Sequence, residues 1–389
     1  MSKKKKILLT SGVMLIICTL VFFIFTKPGK VIREAVILVV SGQSLDLNGD
    51  YNEINIIDSV YEDYDLFLSG EAHGVAMSYD MEKYLATYFI KEYGVRNIVV
   101  EMSIASGELL NQYLETGDEE LLLNILNKFK STYANNQDTY ELFKYYYELN
   151  KELPGDKKLT LVPIDIEHET STTGIYINNL MQGLGEPPEA IKEMVIKIKN
   201  IGSFYDRFFL KDLIKSLEED RTAYEEYFRE KFFYFDLVVN NIKLDNTNEE
   251  REAAMVHNFI SYYEKLGGGK FYGQCGRAHV QKLNSSEWSD GNSTFAYRVN
   301  ENYEPLKGKV FSMIYIYDNC YGNKGGVISN YSDINIGFKR EKVQVRAYDK
   351  IRDKKIYDTF YKYGWSEEEF GELMFIIRGS KASENLKSQ

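Results

Sequence analysis

Four short apolar segments of the chain are each followed by side chains that can carry out acid–base chemistry. Glu71 and His73 follow the first segment, and Glu101 follows the second. The side chains after the third and fourth segments are Asp165, Glu167, His168 and His279. An imidazole oriented by a carboxylate is a common device for moving a proton near neutral pH. A pair formed by His73 with Glu71 or Glu101 therefore predicts a general base.

The apolar segments before these side chains are typical of buried parallel strands, which are short and lack polar alternation. The predicted strands are 65–68, 97–100, 159–164, 271–274, 310–316 and 373–377. Helical periodicity between them predicts an α/β fold with a mostly parallel central sheet flanked by helices. Because ligands bind outside the carboxyl ends of parallel strands, we expect the polar side chains to meet at one edge of the sheet.

A long helical stretch separates the third and fourth predicted strands. It covers about 172–266 and is too long for a simple crossover, so we expect a large helical insertion beside the sheet. His257 lies within a helical pattern in this stretch, which predicts a packing role. The glycines at 267–269 should end the stretch, since glycine is common just after a helix. They precede a strand and do not form a phosphate-binding loop.

The N-terminus predicts a membrane anchor. Four lysines at 3–6 precede an uncharged apolar run over 7–25, which is about the length needed to cross a bilayer. The lysines should remain cytoplasmic and place the rest of the chain outside. The run ends in bulky side chains instead of the small residues of a cleavage site, which favours an uncleaved signal anchor. We therefore predict lysines and a transmembrane helix over 1–30, a connecting segment over 31–60 and an α/β domain over 61–389.

Composition excludes several classes of protein. The chain has 47 basic and 58 acidic residues and a formal charge of −11, whereas a nucleic-acid-binding protein needs a basic face. Three cysteines are too few for a disulfide scaffold or a cysteine-based zinc cluster. A disulfide between Cys275 and Cys320 is left open by their spacing. No G-x-S-x-G motif is present, which argues against a serine hydrolase of the α/β-hydrolase type. Ser103 and Ser106 are expected to cap a helix.

Several blocks of the sequence resemble the erythromycin esterase-like family. The first block runs over 68–74 and contains Glu71 and His73, and the next runs over 94–101 and ends at Glu101. Weaker blocks are Arg251 with Met255 and Asn258, and the strand that leads to Ala278, His279 and Val280. The resemblance implies an α/β hydrolase that cleaves a small-molecule ester or lactone with an activated water and without an obligatory metal.

The resemblance also implies roles for individual residues. His73 would be the general base, Glu101 would orient or polarise it, and Glu71 would complete the carboxylate shell. His279 would bind the oxyanion or protonate the leaving alcohol. Arg251 would hold a carboxylate or line the site. Apart from the resemblance, Asp165, Glu167 and His168 are candidate substrate-binding residues because they follow the third predicted strand. His168 could instead cap the following helix, and Asp165 could be a structural acceptor behind the site.

Two alternatives to a metal-independent hydrolase stay open at this point. His73, Glu101 and His279 have side chains suited to a divalent metal or haem. Such a site would indicate a metal- or haem-binding protein or a metal-dependent protease, both of which occur in the wider superfamily. The third interpretation is a non-enzymatic surface module in which the same residues bind a ligand or hold loops. The preferred interpretation is a membrane-anchored extracytoplasmic hydrolase of unknown ester substrate, with no cofactor and no nucleic-acid partner.

Overall fold

The architecture is given by a computed structural model, in which part of the chain is described. The described residues are 11–16, 18–19, 21–22, 26, 29, 42–48, 63–130, 132–200, 207–242, 247–287, 291–328, 344–351, 353–361, 365–366 and 368–387. The described strands are β1 (Gln43–Leu45), β2 (Leu66–Glu71), β3 (Asn97–Ser103), β4 (Thr160–Asp165), β5 (Phe271–Gly276), β6 (Val310–Asp318), β7 (Cys320–Tyr321), β8 (Val327–Ile328), β9 (Gln344–Asp349) and β10 (Leu373–Arg378).

The central sheet is eight-stranded and mostly parallel. Its order is β1-β9-β10-β6-β2-β5-β3-β4. Every neighbouring pair from β10 to β4 is parallel, whereas β9 is antiparallel to β10 and to β1. The six predicted strands are the six parallel ones, so the predicted α/β fold with a mostly parallel sheet is confirmed. The sequence did not indicate β9, nor β1, which lies inside the predicted connecting segment 31–60.

Helices flank the sheet and lie between successive strands along the chain. They are α1 (Ala76–Glu92), α2 (Ile104–Thr116), α3 (Glu119–Lys128), α4 (Gln137–Glu152), α5 (Thr170–Met181), α6 (Glu189–Asn200), α7 (Arg207–Glu219), α8 (Arg221–Phe228), α9 (Phe232–Ile242), α10 (Asn248–Lys265), α11 (Arg277–Val280), α12 (Phe295–Asn302) and α13 (Lys354–Tyr361). The predicted helical stretch between the third and fourth strands corresponds to α5 through α10. The glycines at 267–269 follow α10 with positive φ angles, as expected of a helix stop.

Helices α1 and α10 lie on opposite faces of the sheet. Adjacent residues of a strand point to opposite faces. On β5, Tyr272 stacks on Phe89 of α1 with ring centroids 5.2 Å apart. The preceding residue, Phe271, meets Phe259 of α10 edge to face at 5.3 Å. The two faces of the sheet are therefore covered, one by α1 and the other by α10, and both helices contribute to the site described below.

The centre of the sheet has no room for a side chain at Gly273. A Cβ atom at this position would lie 2.6 Å from the Val99 Cβ atom and 2.7 Å from the Val99 backbone oxygen on the neighbouring strand β3. Backbone atoms of a paired strand cannot move away without breaking the ladder. We expect Gly273→Ala to lower the free energy of unfolding by about 1–3 kcal/mol, as overpacking usually does. Gly155→Ala is the control, because no atom lies within 4 Å of its Cβ position; equal denaturation midpoints for the two variants would contradict this packing.

The predicted N-terminal transmembrane helix over 7–25 falls largely outside the described residues. Residues 11–16, 18–19 and 21–22 are helical. Over the part of the chain that is described, no helix combines the length and the apolar character needed to cross a bilayer. The anchor therefore stays a prediction.

The disulfide that the spacing left open does not form. Cys275 and Cys320 are both free and buried. The Cys320 thiol lies 3.3 Å from the Ile377 backbone oxygen on β10, to which it donates. Both cysteines belong to the hydrophobic core.

Candidate active site

A cavity of about 490 Å³ opens at the carboxyl edge of the sheet. Its wall is built by the ends of β2, β3, β4 and β5, by α1 and α10, and by the segment from the end of α3 into α4. The lining residues are Glu71, His73, Tyr79, Glu82, Val100, Glu101, Met102, Ser103, Phe129, Thr132, Tyr133, Ala134, Thr139, Leu142, Phe143, Asp165, His168, Glu169, Arg251 and Gln274. Its size and its mixture of apolar and polar side chains are those of a small-molecule site.

His73 stands on the cavity wall with its imidazole held from one side. Its Nδ1 atom makes a very short hydrogen bond to Glu71 Oε1, while 42% of the side chain remains exposed. The Tyr133 ring packs beside the imidazole, with centroids 5.4 Å apart. Electrostatic attraction to Glu71 raises the pKa of His73 to about 9 against the opposing effect of burial. The sequence predicted either Glu71 or Glu101 as the partner of His73. In the structure, Glu71 is the one that contacts Nδ1.

Glu101 is the centre of a buried ionic cluster. Its Oε2 atom accepts a 2.6 Å hydrogen bond from the Gly276 backbone N–H, and its Oε1 atom accepts one of 2.6 Å from Arg251 Nη2. Burial alone would raise the pKa of Glu101, but the His279, His73 and Arg251 charges hold it well below its ordinary value. His73 Nε2 lies 3.9 Å from Glu101 Oε1, too far for a direct hydrogen bond. A β-bulge of β3 lies between Val100 and Ser103. A bulge changes the direction in which the side chains of that part of a strand point.

Arg251 joins Glu101 to Asp165 across the sheet edge. Its Nε and Nη2 atoms donate to the two oxygens of Asp165 at 2.8 and 2.7 Å, a bidentate pair. Burial would raise the pKa of Asp165, but hydrogen bonds and charge from His168 and Arg251 lower it to about 2. The guanidinium is thus balanced by two carboxylates of the protein. The resemblance implied that Arg251 holds a substrate carboxylate. Its Nε and Nη2 donors already bind Asp165 and Glu101, so no free pair of donors is left for a substrate.

His279 sits behind the cluster and does not line the cavity. Its Nδ1 atom donates to Glu252 Oε1 at 2.6 Å, and its Nε2 atom lies 3.0 Å from Arg251 Nη1 and 3.4 Å from Glu101 Oε1. Burial lowers the pKa of His279, whereas the carboxylates of Glu101 and Glu252 raise it. Arg251 can only donate a hydrogen bond, so its contact with Nε2 favours the neutral imidazole with its proton on Nδ1. This geometry makes His279 a positioning residue for Arg251 and Glu101, because it contacts both of them and is not among the residues that line the cavity.

The other candidate substrate-binding residues, His168 and Glu167, lie in different surroundings. His168 lines the cavity, and its Nε2 atom lies 3.1 Å from Asp165 Oδ2. That hydrogen bond raises the pKa of His168. Glu167 is buried outside the cavity wall, where it accepts hydrogen bonds from the Ala105 backbone N–H and the Thr173 hydroxyl. Glu167 therefore fastens α2 and α5 together instead of contacting a substrate.

The cluster does not offer a divalent ion a coordination site. Among the described residues, no group of three His, Cys, Asp or Glu side chains is arranged to hold a metal. In the alternative site of His73, Glu101 and His279, the Arg251 guanidinium already lies against Glu101 Oε1 and His279 Nε2. A fixed cation thus occupies the position from which these atoms would coordinate a metal, and the residues present do not fit one.

Several residues of the site gave no signal in the sequence. Glu252 neighbours Arg251 on α10 and fixes His279, yet a glutamate in a charged helix looks like any solvated residue. Glu82 and Gln274 lie under the cavity, where Gln274 Nε2 donates to Glu82 Oε2 at 3.0 Å. The capping role predicted for Ser103 is confirmed, because it accepts a hydrogen bond from the Ser106 backbone N–H. His257 is exposed on α10, away from the cavity, so the predicted packing role is wrong.

The fold is shared with several solved structures. A protein from Bacillus cereus superposes with a TM-score of 0.68 at 14% identity, covering 92% of this chain and 99% of that chain. A succinoglycan biosynthesis protein superposes with a TM-score of 0.67 at 12% identity, covering 91% and 98%. A mutant of the erythromycin esterase EreC in its open conformation superposes with a TM-score of 0.54 at 10% identity, covering 87% and 96%. No protein-family model and no curated protein sequence matches the chain. The superpositions, and not a sequence match, show that the chain has the erythromycin esterase-like fold.

Proposed function

We propose that the protein hydrolyses an ester or lactone of a small molecule with a water activated by His73. The observation that carries this proposal is the placement of His73 on the wall of the cavity, with Nδ1 held by Glu71 and the ring partly exposed. An imidazole fixed at one nitrogen presents the other in a defined direction and tautomer. The shared fold with an erythromycin esterase supports the same reaction class.

The attacking water is placed between His73 and Glu101. The 3.9 Å between His73 Nε2 and Glu101 Oε1 is a separation that one water molecule can bridge. Such a water would donate one hydrogen to the imidazole and the other to the carboxylate. Arg251 and the Gly276 N–H keep Glu101 ionised and fixed in this orientation.

Proton transfer through His73 completes the reaction without another co-reactant. As the water oxygen attacks the acyl carbon, Nε2 takes its proton and a tetrahedral intermediate forms. The bond between the acyl carbon and the alcohol oxygen then breaks, and Nε2 returns the proton to the leaving alkoxide. The products are a carboxylic acid and an alcohol, and the imidazole is restored to its neutral form.

The pKa of His73 predicts an alkaline reaction. A general base must be neutral to accept a proton, and with a pKa of about 9 the His73 imidazole is mostly charged at pH 7. We expect kcat/KM to rise with pH through a single step centred near 9, about 2.5 units above the usual histidine value. A rate profile between pH 6 and 10 checks this. A step near 6.5, or a rate that falls with pH over this range, would contradict the assignment of His73 as the base.

A substrate screen tests the proposed reaction itself. The full-length chain, purified in mild detergent, would be assayed at pH 9 against uncharged esters and lactones with continuous detection of acid release. The proposal expects turnover that is unchanged after treatment with a chelator. Binding of these compounds without hydrolysis would favour the alternative of a non-enzymatic binding module.

The proposal includes a membrane anchor at the N-terminus, with the α/β domain outside the cytoplasm. The lysines at 3–6 and the apolar run over 7–25 support it. Where this run is described, its helical residues expose large apolar side chains, among them Met14, Leu15 and Ile16. Membrane fractionation with protease accessibility of the C-terminal domain in intact cells tests the anchor. Recovery of the chain in the soluble fraction would contradict it.

A further inference from the structure

The segment that follows β10 pairs with the backbone directly after His73. Residues 380–385, here called the anchor segment, form an antiparallel bridge in which Ala382 lies opposite Val75. No residue of the anchor segment lines the cavity. A contribution of the anchor segment to the site must therefore pass through the residues that it holds.

The carbonyl of Gly74, the neighbour of His73, is held by two hydrogen bonds. Its oxygen accepts one of 2.9 Å from the Ser383 backbone N–H and one of 3.1 Å from the Asn323 backbone N–H. Asn323 belongs to the turn between β7 and β8. Gly74 has a φ angle of +80°, and a Cβ atom at this position would lie 2.6 Å from Asn323 Cγ. These contacts fix the backbone on the carboxyl side of His73.

The anchor segment also holds the start of α1. The Ala76 N–H donates to the Lys381 backbone oxygen at 3.1 Å, and the Met77 N–H donates to Ser380 Oγ at 3.0 Å. Val75, at the N-cap position of α1, makes no side-chain cap hydrogen bond. Ser380 therefore supplies an acceptor that the first turn of the helix needs. The loop between β2 and α1 is thus fastened at its carboxyl end.

The other end of the anchor segment holds the cavity wall beside His73. Asn385 forms an antiparallel bridge with Asn136, whose Nδ2 atom donates to the Tyr133 backbone oxygen at 2.6 Å. Asn323 Nδ2 donates to the same oxygen at 3.4 Å. Tyr133 lines the cavity and packs beside the His73 imidazole. The imidazole is thus bordered by two backbone segments, and the anchor segment contacts both.

The anchor segment places no charge beside the imidazole. Its two charged side chains, Lys381 and Glu384, are exposed and pair with each other. The charged groups around the imidazole and its Tyr133 neighbour come from β2, β3, α11 and the turn between β7 and β8: Glu71, Glu101, His279 and Lys324. A neutral substitution in the anchor segment therefore changes the pKa of His73 by moving the imidazole relative to these groups. Loss of the contact with Glu71, the largest of these effects, lowers that pKa.

We propose that the anchor segment is a positioning element that keeps the His73 imidazole in contact with Glu71 and directed into the cavity. Ser383 acts through the Gly74 carbonyl, and Ser380 acts through the start of α1. This inference rests on the proposed hydrolase function, in which Nε2 must face the attacking water. Misplacement of a catalytic group by about 1 Å can lower a rate by about 10²-fold. The effect should appear in kcat and not in KM, because the anchor segment does not line the cavity.

Two substitutions at Ser383 test the proposal without turnover. Ser383→Pro removes the N–H that donates to the Gly74 oxygen. Ser383→Ala keeps this N–H and removes only a hydroxyl, whose oxygen is buried without a hydrogen-bond partner in the described part of the chain. The pKa of His73 would be measured by NMR titration of the histidine-labelled full-length chain, which has four histidines. The His73 signal is assigned by its loss in His73→Ala.

Ser383→Pro should lower the pKa of His73 from about 9 by about one pH unit, because an opposite charge in contact changes a pKa by about 1–3 pH units. Ser383→Ala should leave it near 9. A pKa that stays near 9 in Ser383→Pro, or that falls equally in Ser383→Ala, would overturn the proposal.

A second pair of variants covers the case in which Ser383→Pro does not fold. Gly74→Ala places a Cβ atom against Asn323 and forces it away from the Gly74 carbonyl. Gly94 also has a positive φ angle, of +67°, but no atom lies within 4 Å of its Cβ position. Gly74→Ala should lower the pKa of His73 toward 6.5, and Gly94→Ala should leave it near 9. Equal pKa values in these two variants would overturn the proposal.

Turnover separates this inference from the proposed function. At pH 10, where the His73 imidazole is mostly neutral in each variant, Ser383→Pro should lower kcat about tenfold and leave KM unchanged. An unchanged kcat at this pH would overturn the positioning role alone. A lowered pKa of His73 in Ser383→Pro, with no ester hydrolysed by the unmodified chain, would remove the proposed function and leave the effect of the anchor segment on the imidazole.

Discussion

His73→Ala is expected to lower the kcat/KM for ester hydrolysis by about 10²–10⁴-fold, the usual contribution of a general base. The variant removes the imidazole that faces the cavity but leaves Glu71, Glu101 and Arg251 in place. Because the His73 side chain is 42% exposed, its truncation leaves no sealed void in the core. The rate should therefore fall with little change in the thermal midpoint. Initial rates at pH 9, with the thermal midpoint of each preparation, give both quantities.

The matched control is His257→Gln. His257 is an exposed histidine on α10, outside the cavity. Its replacement should change neither the rate nor the thermal midpoint. A His73→Ala variant that retained the full rate would show that another group activates the water.

Arg251→Leu is expected to destabilise the fold by about 3–5 kcal/mol, the usual cost of leaving buried charges without their partner. The Asp165 and Glu101 side chains are only 4% and 11% exposed. Both would lose a charge-assisted hydrogen bond, and their mutual repulsion would be unscreened. Urea denaturation at pH 8, where both carboxylates are ionised, measures the loss. Lowering the pH should restore part of the lost stability, because protonation of these carboxylates removes the unpaired charge.

Arg221→Leu provides the control for Arg251. Arg221 also makes a bidentate pair, with Asp236 at 2.8 and 3.0 Å, but its side chain is 50% exposed. Exposed pairs contribute at most about 1 kcal/mol. A loss of similar size in both variants would contradict the view that burial of Asp165 and Glu101 sets the cost.

The sequence predicted the parallel part of the sheet well because buried parallel strands carry their own signature. Each continuous apolar run, such as the one before Glu71, can be recognised without knowledge of its neighbours. β1 has three residues, lies at the edge of the sheet and pairs antiparallel with β9, which is far away in the chain. A short edge strand has no apolar run to reveal it, so its position depends on tertiary pairing.

The candidate site was predictable in its position but not in its contacts. The rule that ligands bind beyond the strand ends brought Glu71, His73 and Glu101 together correctly. It could not show which glutamate contacts His73 Nδ1. The choice depends on the bulge in β3 and on the direction in which the Glu101 side chain then points. Nor could it show that His279 turns toward Glu252 and away from the cavity.

The apolar part of the cavity wall could not be predicted from the sequence for a different reason. Phe129, Leu142 and Phe143 lie between predicted strands, in and beside helices whose apolar residues would serve any core equally well. In the structure they line the same cavity as Val100 and Gln274. Sequence periodicity gives the apolar face of a helix but not the space that the face leaves open.

The pH profile of Glu71→Gln shows whether His73, with a pKa raised by Glu71, is the base. Glu71 is the main cause of the high pKa of His73, so its neutral replacement should move the step in kcat/KM from near 9 toward 6.5, by at least one pH unit. Glu169→Gln removes another carboxylate of the cavity wall, one that caps α5 through Ser171, and should leave the step in place. A step that stays near 9 in Glu71→Gln would contradict the claim that a Glu71-tuned His73 activates the water.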